Sequence, residues 1–279
     1  MPVVIMGDGA VGSGLAVALS LSGREVFLAG PPGTPAGSRE IVAEGFIGGR
    51  GRVSVGDAFA APRGAVMVCA LKAYHLAGAL EGIAAGAPAR LVNVSNGLFE
   101  AGEWGGFTPE PAVLTAGFRL ENRVVLTASG ELTVVRKGVA EELFRGTSLP
   151  VRPVEDIQLQ VQAKWLVNSI VNPLGAITGL PNNGLLPAGL SELAETLFRE
   201  LAPAVRDDCR NASRAMLRAV LEKSENLCSM LQDVREGRPT ELPWLTEYAL
   251  RRLGPDRCPA AAAVCALAVA AASGARPDR

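Results

Sequence analysis

Residues 2–6 form a short run rich in valine and isoleucine, and the six residues that follow read Gly7-Asp8-Gly9-Ala10-Val11-Gly12. Leu15, Leu19 and their small neighbours then recur at helical spacing. The pattern predicts strand, tight turn and helix, and each glycine has its own steric job. Gly7 makes the turn, Gly9 lets backbone approach a pyrophosphate, and Gly12 lets the helix close on the strand. The helix N-terminus then faces the phosphates. A bare G-x-G-x-x-G says little, but in this context, with a second strand at residues 25–29, it points to dinucleotide binding. Gly7, Asp8, Gly9, Ala10, Val11 and Gly12 are the candidate cofactor-binding residues.

A fold of this kind that prefers NAD usually offers Asp or Glu to the adenosine ribose after the second strand. Here the chain reads Ala29-Gly30-Pro31-Pro32-Gly33, so no carboxylate competes with a 2′-phosphate. Arg39, beside Ser38 at the expected start of a surface helix, is either the phosphate partner or merely solvated. The reading leans to NADP and leaves NAD open.

Residues 65–71 are an apolar run suited to a central parallel strand, and Lys72 follows at its carboxyl end, where open α/β sheets bind ligands. Lys72-Ala-Tyr74-His75 leads into a helix reaching about residue 85. His75, the only histidine, is read as a surface or capping residue and not a catalytic one. The strand at residues 90–94 ends in Ser95-Asn96-Gly97. The β-branched runs at 112–120, 123–128 and 131–135 are too close together for crossover helices and predict antiparallel strands. Residues 138–144 read as a short helix, residues 151–154 as an extended connection, and Asp156 as the cap of a long helix.

The expected fold class is α/β, with a Rossmann-type NAD(P)-binding domain over residues 1–153 and an all-α domain over residues 154–279. No strand pattern recurs in the second part. Residues 191–201, 204–221, 224–235, 243–253 and 258–272 read helical, with Pro181, Pro187, Pro239 and Pro255 in the breaks.

In the long helix Lys164, Asn168 and Asn172 are spaced by four and make one polar stripe, while Trp165, Leu166, Val167, Ile170 and Val171 clothe the rest. A helix apolar nearly all round is buried, and buried Lys and Asn are costly unless something pairs with them. Three polar groups in register imply a common partner. Asn172-Pro173 and Gly175 predict a kink or an end just past the stripe.

The formal net charge of -1 and the lack of like-charge runs give no footprint for nucleic acid. Five cysteines without a C-x-x-C pair suggest reduced thiols filling a core in a cytoplasmic protein, and no metal site is read from them. Residues 10–21 lack the basic flank of a signal peptide, and the alanine-rich residues 259–274 are shorter than the roughly 20 residues of a membrane span. Both are expected to be folded helices, the second able to pack on its own bundle or on a twin, which leaves a homodimer open.

With these residues in view the chain resembles the ketopantoate reductase (2-dehydropantoate 2-reductase) family along nearly its whole length. The resemblance is carried by the opening G-x-G-x-x-G, Lys72, the Asn96-Gly97 pair, the Lys-x-x-x-Asn-x-x-x-Asn-Pro run, and the segment Ser229-Met-Leu-Gln-Asp233 through Thr240-Glu241. It implies a Rossmann-type domain joined to an all-α domain, with the active site in the cleft. The implied reaction is NADPH-dependent reduction of a small 2-keto acid, ketopantoate to (R)-pantoate in pantothenate and coenzyme A biosynthesis. Lys164 looks like the family's catalytic lysine and Glu241 like its active-site glutamate. Asn168, Asn172, Asn182, Asn226 and Ser229 fall on substrate-binding positions, and Lys72 and Asn96 fall where cofactor and substrate are contacted together. Gly30 departs from the family, which commonly places an Arg directly after the second strand, and residues 104–112 look unusual.

Hydride transfer leaves charge on the carbonyl oxygen, and Lys164 can neutralise or protonate it once burial lowers its pKa. Glu241, which favours the ammonium, is assigned to orientation. A related hydroxy acid dehydrogenase and a non-catalytic dinucleotide-binding sensor are the alternatives.

Overall fold

The computed structural model of the chain describes residues 2–99 and 101–274. It divides into two compact units, residues 1–95 with 99–157 and residues 96–98 with 158–279. The division falls at residues 157 and 158, and Asn96 is counted with the second unit.

The first unit runs β1 (Val3–Met6), α1 (Ala10–Leu21), β2 (Val26–Gly30), β3 (Gly37–Gly45), β4 (Gly49–Asp57), β5 (Val66–Cys69), α2 (Leu76–Gly86) and β6 (Arg90–Asn93). It continues with β7 (Glu110–Leu114), β8 (Gly117–Glu121), β9 (Val124–Ala128), β10 (Leu132–Val135), α3 (Val139–Phe144) and β11 (Val151–Val154). The strands make one sheet in the order β11-β10-β7-β6-β5-β1-β2-β4-β3-β9-β8. Its centre, β6, β5, β1, β2 and β4, is parallel, as expected of a Rossmann-type fold.

Both faces of that centre are covered, which is why its strands are apolar without alternation. Val3 and Ile5 point into a core shared with Leu15 and Leu19 of α1 and Phe144 of α3. Val4 and Met6, one residue out of step, point into the core shared with Leu76 and Ile83 of α2. Gly12 is the hinge of this packing, since a Cβ there would lie 1.8 Å from the Gly7 carbonyl oxygen.

Several elements differ from the sequence expectation. Arg39 does not open a helix but lies in β3, which pairs antiparallel with β4. Glycines at 45, 48, 49 and 51 and a charged exposed face dilute the period-two signal of this hairpin to Ile41, Ala43, Val53 and Val55. The runs after residue 110 do pair antiparallel, β7 with β10 and β8 with β9, but they extend opposite edges of the sheet. Residues 151–154 are an edge strand, β11, parallel to β10.

The second unit is helical: α4 (Ile157–Thr178), α5 (Ser191–Leu201), α6 (Cys209–Lys223), α7 (Ser229–Arg235), α8 (Thr246–Leu253) and α9 (Pro259–Gly274). Trp165, Leu166, Ile170, Val171 and Leu174 of α4 lie at the centre of its core. The helix expected from residue 224 starts only at Ser229, because the carbonyls of Ser224 and Asn226 are taken by the amides of Asn183 and Asn182. The five cysteines are buried free thiols. Among the described residues no helix is long and apolar enough to cross a membrane.

Of the kink or end expected just past the stripe, the end does not occur there: α4 continues for five residues beyond Pro173 to Thr178. Proline lacks the N–H that would bond the carbonyl four residues back, which here is Ser169. That carbonyl instead accepts the Thr246 hydroxyl at 2.8 Å, and Thr246 and Ser169 are both fully buried. A tertiary hydrogen bond thus replaces the missing helical one.

Two stability outcomes follow from this packing. Gly12→Ala should lower the urea-unfolding free energy by about 1–3 kcal/mol, the usual range for overpacking; an unchanged midpoint would contradict the close approach to Gly7. Thr246→Val should cost about 1–3 kcal/mol by stranding the Ser169 carbonyl. The cost should shrink when Pro173→Ala restores the helical N–H, and strict additivity of the two changes in a double-mutant cycle would rule out the exchange.

Candidate functional site

In the second unit Lys164, at the start of the polar stripe of α4, interacts with the carboxylate of Glu241. Lys164 and Asn168 are half-buried and Asn172 is buried. Burial pushes the Lys164 ammonium down from its ordinary value to about 8, and the Glu241 carboxylate opposes that shift. Glu241 is only 2% exposed and accepts a hydrogen bond from Asn96 Nδ2 at 3.3 Å. A cation, a carboxylate and an amide are therefore gathered at one place.

The turn that carries Glu241 is held on both sides. Before it, the fully buried Asp233 pairs with Arg238, Nε to Oδ1 at 2.9 Å, and the Arg238 amide donates to the Asp233 carbonyl at 2.8 Å. After it, the Trp165 indole N–H donates to the Trp244 carbonyl at 2.9 Å, and Thr246 bonds Ser169. Trp165 and Ser169 each follow a stripe residue directly, so the contacts that dock the turn also fix its register against Lys164 and Asn168. Glu241 precedes the 3-10 turn Leu242–Trp244, but its side chain caps no backbone amide there.

The remaining candidates gather around the far end of the stripe. Cys228 donates its thiol to the Asn172 carbonyl at 3.5 Å and accepts the Leu231 amide at 3.4 Å as the cap of α7, which puts Ser229 at the first position of that helix. Gly175 permits the approach, since a Cβ there would lie 2.8 Å from Cys228 Sγ. Asn182 donates its amide nitrogen to the Asn226 carbonyl and its Nδ2 to Ser224 Oγ at 3.1 Å. Its Oδ1 is buried with no hydrogen-bond partner among the described residues, an arrangement that ordinarily costs about 1–3 kcal/mol.

In the first unit the glycine loop has the form an anion site requires. Gly7 has φ +104, a region open to glycine, and Gly9 caps α1 with backbone alone. The first-turn amides of a helix have no intrahelical partner, so those after Gly9 are available to an anion. A Cβ on Gly9 would meet nothing within 4 Å, whereas one on Gly12 would strike Gly7; the outer side of the loop is open and its inner side packed. These residues fit a dinucleotide pyrophosphate. Lys72 caps the 3-10 turn Ala73–His75 just beyond the carboxyl end of β5, and His75 precedes α2. Arg39, carried on β3, pairs with Asp8 of the loop at 3.6 Å.

Trp165, Ser169, Trp244 and Thr246 were not singled out for any polar role by the sequence. One signal was present: a proline at 173 inside an amphipathic helix frees the carbonyl at 169, which needs a donor. Which donor answers it is not written locally. Among the described residues no group of three or more His, Cys, Asp or Glu could hold a metal ion.

Residues 156–269 match the family model described as ketopantoate reductase PanE/ApbA C terminal. The 2-dehydropantoate 2-reductase of Salmonella typhimurium is 32% identical over 117 residues, 40% of this chain and 38% of that protein. The one from Pyrobaculum aerophilum is 32% identical over 146 residues, 48% of this chain and 51% of that protein. The chain thus spans about two-fifths to half the length of these curated relatives. Among solved structures, a D-mandelate dehydrogenase solved with NADH superposes with a TM-score of 0.80 at 18% identity, covering 99% of both chains. A dimeric ketopantoate reductase from Staphylococcus aureus superposes at 0.78 and 16% identity, covering 99% of this chain and 100% of that one. Identities this low show the fold alone. Residues 156–269 thus match the C-terminal domain of the ketopantoate reductase family, and the fold of the whole chain is that of the solved ketopantoate reductases.

Proposed function

We propose that the protein is an NADP-dependent reductase of a small 2-keto acid, with 2-dehydropantoate as the first substrate to test and (R)-pantoate as its product. The observation that carries this reading is the Lys164 ammonium, drawn down to about 8 beside a buried carboxylate. An ordinary lysine holds its proton too tightly to donate it near neutral pH, and one near 8 is matched to the task. The family and the fold support a nicotinamide dinucleotide as the cofactor.

When bound, the reduced nicotinamide supplies the hydride. Lys164 neutralises the charge that develops on the carbonyl oxygen and gives its Nζ proton to that oxygen. Glu241 keeps the ammonium oriented and, held by Asn96, does not swing away. Asn168, Asn172, Asn226 and Ser229 offer neutral hydrogen bonds to the substrate's carboxylate and hydroxyl groups, and the unpaired Asn182 Oδ1 offers an acceptor. A site with buried polar groups discriminates well, because an analogue lacking a partner leaves them unpaired. Gly7 to Gly12 hold the pyrophosphate on the backbone amides of α1, with Lys72 at the neighbouring strand end. The cytoplasm and a homodimer are part of the same reading.

The deciding assay is oxidation of NADPH and of NADH with ketopantoate and then with a panel of 2-keto acids. Turnover of another 2-keto acid alone would move the assignment to a related hydroxy acid dehydrogenase, and binding without turnover would make the protein a sensor. Lys164→Ala should lower kcat about a hundredfold or more, comparable to losing an oxyanion donor, with NADPH affinity nearly unchanged; turnover within about threefold of wild type would refute the role of Lys164. In reduction the protonated amine is the active form, so kcat/KM should be level below about 8 and decline as pH rises through it. Glu241→Gln removes the carboxylate that favours the ammonium, so this limb should move to lower pH; a limb that stays put or rises would contradict the pairing.

A further inference from the structure

Gly30 ends β2, the position after which adenosine-ribose specificity is ordinarily written in a Rossmann-type domain. A side chain there would have to displace Thr34. A Cβ on Gly30 would lie 2.5 Å from Thr34 Oγ1, whose hydroxyl is itself fixed by donating to the Pro31 carbonyl at 2.7 Å. The same Cβ would lie 3.2 Å from Asp8 Oδ2, so the glycine loop and the end of β2 approach each other at this point. A cation is nevertheless delivered to it. The β3–β4 hairpin, interposed between β2 and the rest of the sheet edge, sends Arg39 across to Asp8 at 3.6 Å.

The pair is solvent-accessible, with Arg39 45% and Asp8 32% exposed, so neither is locked in a buried bridge. An exposed ion pair contributes little to stability, typically about 0–1 kcal/mol. A guanidinium held this loosely can exchange a carboxylate for a phosphate, which it binds bidentately and more strongly. The geometry points to Arg39 as the residue that selects NADP over NAD by binding the adenosine 2′-phosphate, taking from across the hairpin the place that Gly30 cannot fill. Asp8 parks the guanidinium until the phosphate arrives, and competes with it.

This assignment rests on the dinucleotide-binding reading of the first unit, and a binding measurement without substrate separates the two. Calorimetric titration of the full chain with 2′,5′-ADP and with 5′-ADP isolates the 2′-phosphate. The wild type is expected to bind 2′,5′-ADP at least about tenfold tighter. Arg39→Ala should abolish that preference while leaving 5′-ADP affinity within about threefold, and Arg39→Lys should restore only part of it because an ammonium lacks the fork. Asp8→Asn, which removes the competing charge, should keep or sharpen the preference. A preference that survives in Arg39→Ala overturns the assignment. So does a wild type that favours 5′-ADP and loses it in Asp8→Asn, which would make Asp8 a ribose acceptor and the protein NAD-selective. If the folded wild type binds neither nucleotide, the dinucleotide reading itself fails and this assignment with it.

Discussion

A single exchange of hydrogen-bond partners organises the helical unit. Pro173 cannot serve the Ser169 carbonyl, and Thr246 serves it from another helix. In a fully buried setting the alternative is an orphaned acceptor, so the exchange is strongly favoured over any arrangement that separates α4 from α8. Three consequences share this cause. The long helix keeps running past its proline, the start of α8 is tied to it, and the turn just before α8, with Glu241, arrives beside Lys164 in one register. The indole N–H of Trp165 on the Trp244 carbonyl adds a second point of attachment, and two points suppress the rotation that one would allow.

The electrostatics of the site depend on that register. Lys164 is pulled two ways, burial disfavouring its charge and Glu241 favouring it, and burial is the larger effect. Had the turn docked one residue further along α4, the carboxylate would face a different side chain and the amine would lose the charge that offsets its burial. The Asp233 and Arg238 pair keeps the approach to the turn from fraying on the other side.

The sheet unit reaches its candidate site by a different route. Its glycine loop is determined over six residues, by steric demands that leave few alternatives to glycine at Gly7 and Gly12. Its charge is supplied from a distance, through a hairpin whose strands carry few buried residues. This division is physically reasonable: phosphate binding needs backbone, which short-range sequence controls, while the choice between two nucleotides needs one cation that any nearby strand can carry.

From the amino-acid sequence alone, the chain's halves were readable as sheet and helix, and the loop, the strand-ending Lys72 and the polar stripe stood out, because each is expressed within a few residues of periodicity or steric need. Glu241, Asn182, Asn226 and Ser229 could be named only through resemblance, since nothing local joins them. Tertiary structure alone decided that Arg39 sits on a strand facing Asp8, that Asn96 bonds Glu241, and that Thr246 answers Pro173. Those pairings link residues far apart in the chain, and hydrogen bonds and ion pairs of that separation leave no periodic mark. The buried ones, Asn96 with Glu241 and Thr246 with Ser169, exist because burial removes water as the competing partner, and only the folded chain determines which polar group is then close enough to replace it.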